Sequence, residues 1–156
     1  NRLVAVMASS SKVKIEGAAD LAAGRVKHLA LAGEAVPAGK YAKAALESAG
    51  AWKGVETKVV RADSVRGALR WVASGEAEAA IVYGTDAAAE PRVRVAFVFA
   101  ESSHPPIVYP SATVKGAARA SAAAAFLVFC RGPEASRIFT EAGFGLAGPK
   151  AENRKK

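Results

Sequence analysis

The sequence predicts an α/β domain built on a parallel sheet with helices on both faces. Strand-like and helix-like segments alternate from residue 7 to residue 99, the pattern of βαβ units. Runs such as His28-Leu29-Ala30-Leu31-Ala32 are apolar almost throughout, as strands covered on both faces are. Gly33, Gly50, Gly75 and Gly84 fall at the ends of these segments, where helices cap and strands stop.

Taken in order, residues 2–7 read as a strand, followed by an Ala8-Ser9-Ser10-Ser11 loop and a short helix ended by Gly24. Residues 28–32 form a buried strand stopped by Gly33. A helix then starts at Pro37, whose fixed φ suits the first helical position, and runs to about Ala49 with Gly50 as its cap. Beyond an Ala51-Trp52-Lys53-Gly54 turn, residues 57–61 are a strand. Asp63 or Ser64 caps the helix that ends at Gly75. Residues 79–83 are the next strand, and an alanine-rich helical turn stops at Pro91. Residues 93–99 form a strand and residues 101–106 a linker. Residues 107–115 continue extended, and helices over 118–131 and 133–142 close the pattern.

Composition narrows the function. Of the 156 residues, 51% are hydrophobic, so the chain is globular. No apolar run approaches the roughly 20 residues that span a bilayer. Its formal charge of +8 raises the question of nucleic acid. The basic residues are spread singly, however, apart from a terminal Asn153-Arg154-Lys155-Lys156 run, and no recognition motif accompanies them. Neither nucleic-acid binding nor membrane insertion is expected. The single cysteine, Cys130, excludes an internal disulfide and reads as a small core residue.

Enzyme motifs fail on context. Gly143-Phe144-Gly145-Leu146-Ala147-Gly148 matches G-x-G-x-x-G but follows a helix rather than a strand. Ser102-Ser103-His104 lacks an acid partner, an oxyanion hole and a nucleophile elbow. His28 and His104 have no metal-ligand spacing around them. No catalysis and no cofactor are expected, and Trp52 and Trp71 read as packing residues.

Donors without formal charge are better placed. In an open α/β sheet, ligands bind beyond the carboxyl ends of the strands. Three features fall there: the helix start Val36-Pro37-Ala38-Gly39, the helix start Asp63-Ser64-Val65-Arg66, and Tyr83 at the end of its strand. Opening N–H groups of a helix have no intrahelical acceptor and sit at the positive end of its dipole. With a phenol hydroxyl they suit an oxyanion.

Those stretches carry a resemblance. Val36-Pro37-Ala38-Gly39-Lys40-Tyr41-Ala42-Lys43, Asp63-Ser64-Val65-Arg66-Gly67-Ala68-Leu69 and Ile81-Val82-Tyr83-Gly84-Thr85-Asp86-Ala87 look like the periplasmic molybdate-binding proteins of bacterial molybdate ABC importers. Ser103-His104-Pro105-Pro106-Ile107-Val108-Tyr109-Pro110 and the later Gly132-Pro133-Glu134-Ala135, Ile138-Phe139 and Gly143-Phe144 are similar to that family too. The resemblance implies a two-lobed, type II periplasmic-binding-protein fold closing on molybdate or tungstate, with an importer permease as partner and a periplasmic location. It implies backbone N–H donation from Ala38 and Val65 and a hydroxyl from Tyr83.

Family members carry a first lobe ahead of the segment matching Asn1-Arg2-Leu3-Val4, with two hydroxyl ligands, and nothing here matches it; Ser9, Ser10 and Ser11 fit no ligand motif. The expected organisation is therefore one complete three-layer lobe with a parallel or mixed sheet and a partial second lobe. Residues 1–6 would be the crossover strand of the incomplete lobe, 7–106 the second lobe, 107–146 the returning segment and 147–156 a flexible basic tail. Half a clamp leaves the anion wet on one side, so weak binding is expected. Residues 107–146 would expose Phe126, Leu127, Ile138 and Phe139 and pair with another copy, swap or order poorly. Other function classes left open are the ligand-sensing domain of a transcription regulator and an assembly or dimerisation fragment that binds no ligand.

Overall fold

The computed structural model describes residues 1–146; the expected tail at 147–156 lies outside the described residues. The chain divides into two compact units, Asn1–Pro106 and a second beginning at Ile107.

In the first unit the order is β1 (Leu3–Ala8), α1 (Ala18–Leu21), β2 (Leu29–Ala32), α2 (Pro37–Ser48), α3 (Trp52–Val55), a 3-10 turn (Glu56–Lys58), β3 (Val59–Ala62), α4 (Val65–Ser74), β4 (Ala79–Tyr83), α5 (Gly84–Ala88) and β5 (Val93–Val98). The strands form one sheet in the order β3-β2-β4-β1-β5. β2 runs parallel to β3, with Leu29 opposite Val59, and parallel to β4, with Leu29 opposite Ala79. The chain steps outward from β2 to β3 and then back across β2 to β4. Right-handed crossovers in opposite directions put α2 and α4 on opposite faces.

Side-chain alternation agrees with that layering. Val4, Val6, Ala30, Ala80 and Val82 pack with Ala68, Leu69 and Val72 of α4. Their strand neighbours Leu3, Met7, Leu29, Leu31 and Ile81 point the other way and are fully buried. α2 packs on β1, β2 and β4 and buries Ala38, Gly39, Ala42, Ala45 and Leu46. These thin side chains let the helix approach the sheet closely. The mixed, three-layer lobe is thus present.

Of the parallel and mixed arrangements expected, the sheet is mixed, because β1 runs antiparallel to both β4 and β5. Residues 1–6 accordingly share a sheet and a compact unit with residues 7–106. A strand buried on both faces has the same hydropathy in either direction, so its sequence did not reveal this. The strand expected at 57–61 begins at Val59, because Glu56–Lys58 tighten into a 3-10 turn behind α3.

The second unit contains α6 (Ala120–Phe129) and α7 (Pro133–Glu141). Residues 107–119 carry no strand. Phe126, Ile138 and Phe139 are exposed, and Leu127 is half-buried. Cys130, expected in a core, is the half-buried residue that ends α6. Within this unit Phe144 meets Tyr109 edge-on at 5.5 Å and Phe139 at 6.3 Å. Among the described residues no helix is long and apolar enough to cross a membrane.

Candidate functional site

Because β2, β3 and β4 are mutually parallel neighbours, their carboxyl ends share one edge of the sheet. Two strand spacings cover about 10 Å, so the segments leaving these strands start close together. The antiparallel β1 brings its amino end to the same edge, with Leu3 opposite Tyr83. β5 ends there as well, where Phe99 N–H donates to the Leu3 carbonyl at 3.0 Å.

The β2-to-α2 segment is tightly held. Gly33 N–H donates to the Ala62 carbonyl at 2.8 Å, and Val36 N–H to the Gly33 carbonyl at 2.9 Å. Val36 is the extended N-cap, Pro37 the first helical residue and Ala38 the second. The N–H groups of Gly39 and Lys40 both return to the Val36 carbonyl, at 3.0 and 3.2 Å. The Ala38 N–H precedes that ladder and has no acceptor within the helix. Ala38 is only 1% exposed, so an acceptor reaching its N–H would be shielded from water. Gly39 is obligatory: a Cβ there would collide with the carbonyl oxygens of Ala32 and Gly33.

At α4 the cap is Ser64, with extended backbone and an Oγ that accepts from Gly67 N–H at 3.1 Å. Ala68 N–H donates to the Ser64 carbonyl at 3.1 Å. Of the alternatives Asp63 and Ser64, the serine therefore caps. The cap consumes the third and fourth N–H groups and leaves those of Val65 and Arg66 as the opening donors. Tyr83, half-buried, ends β4 and leads into α5, while the adjacent Gly84 N–H is tied to the Arg2 carbonyl at 2.9 Å. Asn1 Nδ2 donates to Thr85 Oγ1 at 2.9 Å on the same edge.

All three expected site residues, Ala38, Val65 and Tyr83, thus belong to segments leaving one edge. Ser9, Ser10 and Ser11 follow the carboxyl end of the antiparallel β1 and therefore sit at the opposite edge. His104 does not form a nucleophilic pair. Its Nδ1 donates to the Pro105 carbonyl at 2.8 Å, its ring lies 5.8 Å from that of Tyr41, and Ser103 Oγ donates to the Ala100 carbonyl at 2.6 Å. No cluster able to hold a metal ion occurs among the described residues.

Two charge pairs at this edge went unread in the sequence. Arg66 Nε stands 3.6 Å from Asp86 Oδ1, linking the start of α4 to α5. Asp86 is 17% exposed at its side chain, and burial raises its carboxyl above the ordinary value while Arg66 pulls it down. Arg61, at the end of β3, donates from Nη1 to the Ala32 carbonyl and from Nη2 to Glu34 Oε1, both at 3.1 Å. Its guanidinium carbon lies 5.9 Å from the centre of the Trp52 ring, and Lys43 Nζ of α2 lies 5.1 Å from the same centre. A guanidinium inside an otherwise apolar strand was the available signal.

A profile described as bacterial extracellular solute-binding protein matches residues 1–145. The chain is 46% identical over 113 residues to the molybdate-binding protein ModA of Escherichia coli K12, covering 72% of this chain and 44% of that protein. It is 39% identical over 109 residues to the molybdate-binding protein ModA of Haemophilus influenzae, covering 70% and 42%. It therefore spans less than half the length of these curated relatives. Among solved structures, the substrate-binding domain attributed to a molybdenum ABC transporter of Clostridium difficile superposes with a TM-score of 0.81 at 33% identity, over 95% of this chain and 64% of that one. The periplasmic molybdate-binding protein of Azotobacter vinelandii superposes with a TM-score of 0.78 at 23% identity, over 94% and 65%, which speaks to the fold. With the family profile running through both units, the chain belongs to the bacterial extracellular solute-binding proteins, a family of binders rather than enzymes.

Proposed function

We propose that this chain contributes one side of a site that captures molybdate or tungstate in the periplasm for delivery to an ABC importer permease. The observation that carries the reading is the placement of three segments with uncharged donors on one sheet edge: the starts of α2 and α4 and the end of β4. The relatives named for molybdate supply the ligand class. Ala38 and Val65 would donate backbone N–H groups and Tyr83 its hydroxyl. Such donors hold a tetrahedral dianion without a neutralising counter-charge, and each bond gains strength as water is excluded. Residues 1–106 would form the anion-binding lobe and 107–146 the segment returning to a second lobe.

In the 156-residue chain by itself the anion meets donors from one side only, so affinity is weak. Titration with tungstate tests the reading, using the wild type and Tyr83→Phe. Loss of one hydrogen bond to a charged group costs about 1.5–3 kcal/mol, so the variant should bind at least about tenfold more weakly. Equal affinity would remove Tyr83 from the site. Submicromolar affinity in the monomer would overturn the one-sided reading.

Assembly through residues 107–146 is a second reading, favoured by the exposure of Phe126, Ile138 and Phe139. Mass measurement in solution over a concentration series, with and without tungstate, decides it. A monomer throughout counts against assembly.

A further inference from the structure

Arg61 joins the end of β3 to the segment that enters α2. It leaves β3 four positions before Val65, yet its hydrogen bonds go to the other donor segment. Nη1 takes the carbonyl of Ala32, the last residue of β2, and Nη2 takes Glu34 in the loop that enters α2. The Trp52 ring, near the guanidinium, also receives Lys43 from the second turn of α2. Loop 33–36 is thus gripped at its origin and middle by Arg61, and α2 is gripped farther along through Trp52.

We infer that Arg61 is a positioning residue of the anion site, setting where the Ala38 N–H lies relative to the start of α4. This rests on the oxyanion reading above. Arg61 does not offer its charge to the anion: both forked nitrogens are engaged, and Glu34 neutralises it. Its effect is geometric, and the fork is the part that matters. A lysine would keep the charge but could not hold two acceptors in one plane beside an aromatic ring. The Glu34 arm is exposed and worth little alone. The half-buried bond to the Ala32 carbonyl fixes the strand end from which the loop departs. Because a donor misplaced by a fraction of an ångström favours one oxyanion radius over another, the grip also governs size discrimination between tungstate and the smaller sulfate.

The test compares wild type, Arg61→Lys and Glu34→Ala by three measurements: melting temperature, amide hydrogen exchange at residues 34–40 without ligand, and affinities for tungstate and sulfate. Arg61→Lys is expected to melt within about 3 °C of wild type. It should speed exchange at Val36, Gly39 and Lys40, whose N–H groups are hydrogen-bonded without ligand, weaken tungstate by about tenfold and lower the tungstate-to-sulfate ratio. A general loss of stability would not move that ratio. Glu34→Ala should move exchange and affinity the same way by a smaller factor, and it carries the test if Arg61→Lys does not fold. Wild-type exchange at residues 34–40 in the variants overturns the inference, as does an unchanged tungstate-to-sulfate ratio. A wild type that binds no tungstate overturns the functional reading instead, and the exchange data then decide the positioning role alone.

Discussion

α4 and α6 are both ten residues long, and they sit in opposite kinds of surroundings. α4, in the first unit, turns Ala68, Leu69 and Val72 into the sheet and leaves Arg66 and Arg70 outside. α6, in the second, is apolar all round (Ala-Ser-Ala-Ala-Ala-Ala-Phe-Leu-Val-Phe), yet none of its residues is buried and Phe126 is 62% exposed. An amphipathic helix carries instructions for which face to cover, and β1, β2 and β4 supply the cover. A uniformly apolar helix asks to be covered on every side, and the described residues do not do so. The first unit is therefore the part whose packing explains itself, and the site edge belongs to it.

Core truncations give the strongest test of that contrast. Leu31 lies in β2 with no exposure, and Leu31→Ala should cost about 2–5 kcal/mol through lost transfer energy and a residual cavity. Phe126→Ala removes a larger side chain, but from water, and should stay within about 0.5 kcal/mol in the monomer. Denaturant unfolding followed by far-ultraviolet circular dichroism, which reports the helices of both units, measures both. Equal losses would mean that α6 finds a packing partner in solution and would break the comparison.

Gly39→Ala moves the test from the core to the site edge. The added methyl would land on the Ala32 and Gly33 carbonyl oxygens, which are backbone atoms and cannot swing aside. α2 must then slide, at about 1–3 kcal/mol, and the Ala38 N–H slides with it. Tungstate affinity should fall further than in Tyr83→Phe, which removes one hydroxyl and adds nothing at the start of α2. A Gly39→Ala chain that binds like wild type would separate α2 from the site.

The same contrast explains what could be read from the sequence. β4 matches its expected limits, residues 79–83, because Glu78 and Gly84 bracket a continuous apolar run. The starts of α2 and α4 were readable from Pro37 and Ser64, whose roles are local: one presets φ and the other supplies a cap. Strand direction is not local. β1 looks identical forwards and backwards, so its residues left a parallel and a mixed sheet equally open. The partners of Arg61 were hidden for a related reason. Ala32 and Glu34 lie 29 and 27 positions away, and a charged residue in a strand ordinarily marks a solvent face. Local chemistry located the donors, and the tertiary fold supplied what holds them.

Asp86 gives the smallest and most pH-specific effect. Burial pushes its carboxyl above the ordinary aspartate value of 3.8, and Arg66 offsets part of that push. A folded-state pKa above the unfolded one means that the folded chain binds the proton more tightly. The stability from this group is therefore complete below 3.8 and is lost as the pH rises through the folded value. At neutral pH the ionised carboxylate is a residual cost. Asp86→Asn is neutral at every pH, so its melting temperature should match wild type in acid and exceed it by about 2 °C at neutral pH. Arg66→Ala should do the reverse, lowering stability only where Asp86 is ionised, because it strips the carboxylate of the partner 3.6 Å away. Thermal melts across the range from pH 3 to pH 8 distinguish the two. If Asp86→Asn instead lost stability steadily as the pH rose, the Arg66 pair would outweigh the burial cost. α4 and α5 would then be joined by an attractive bridge, and the site edge would owe its rigidity to charge as well as to packing.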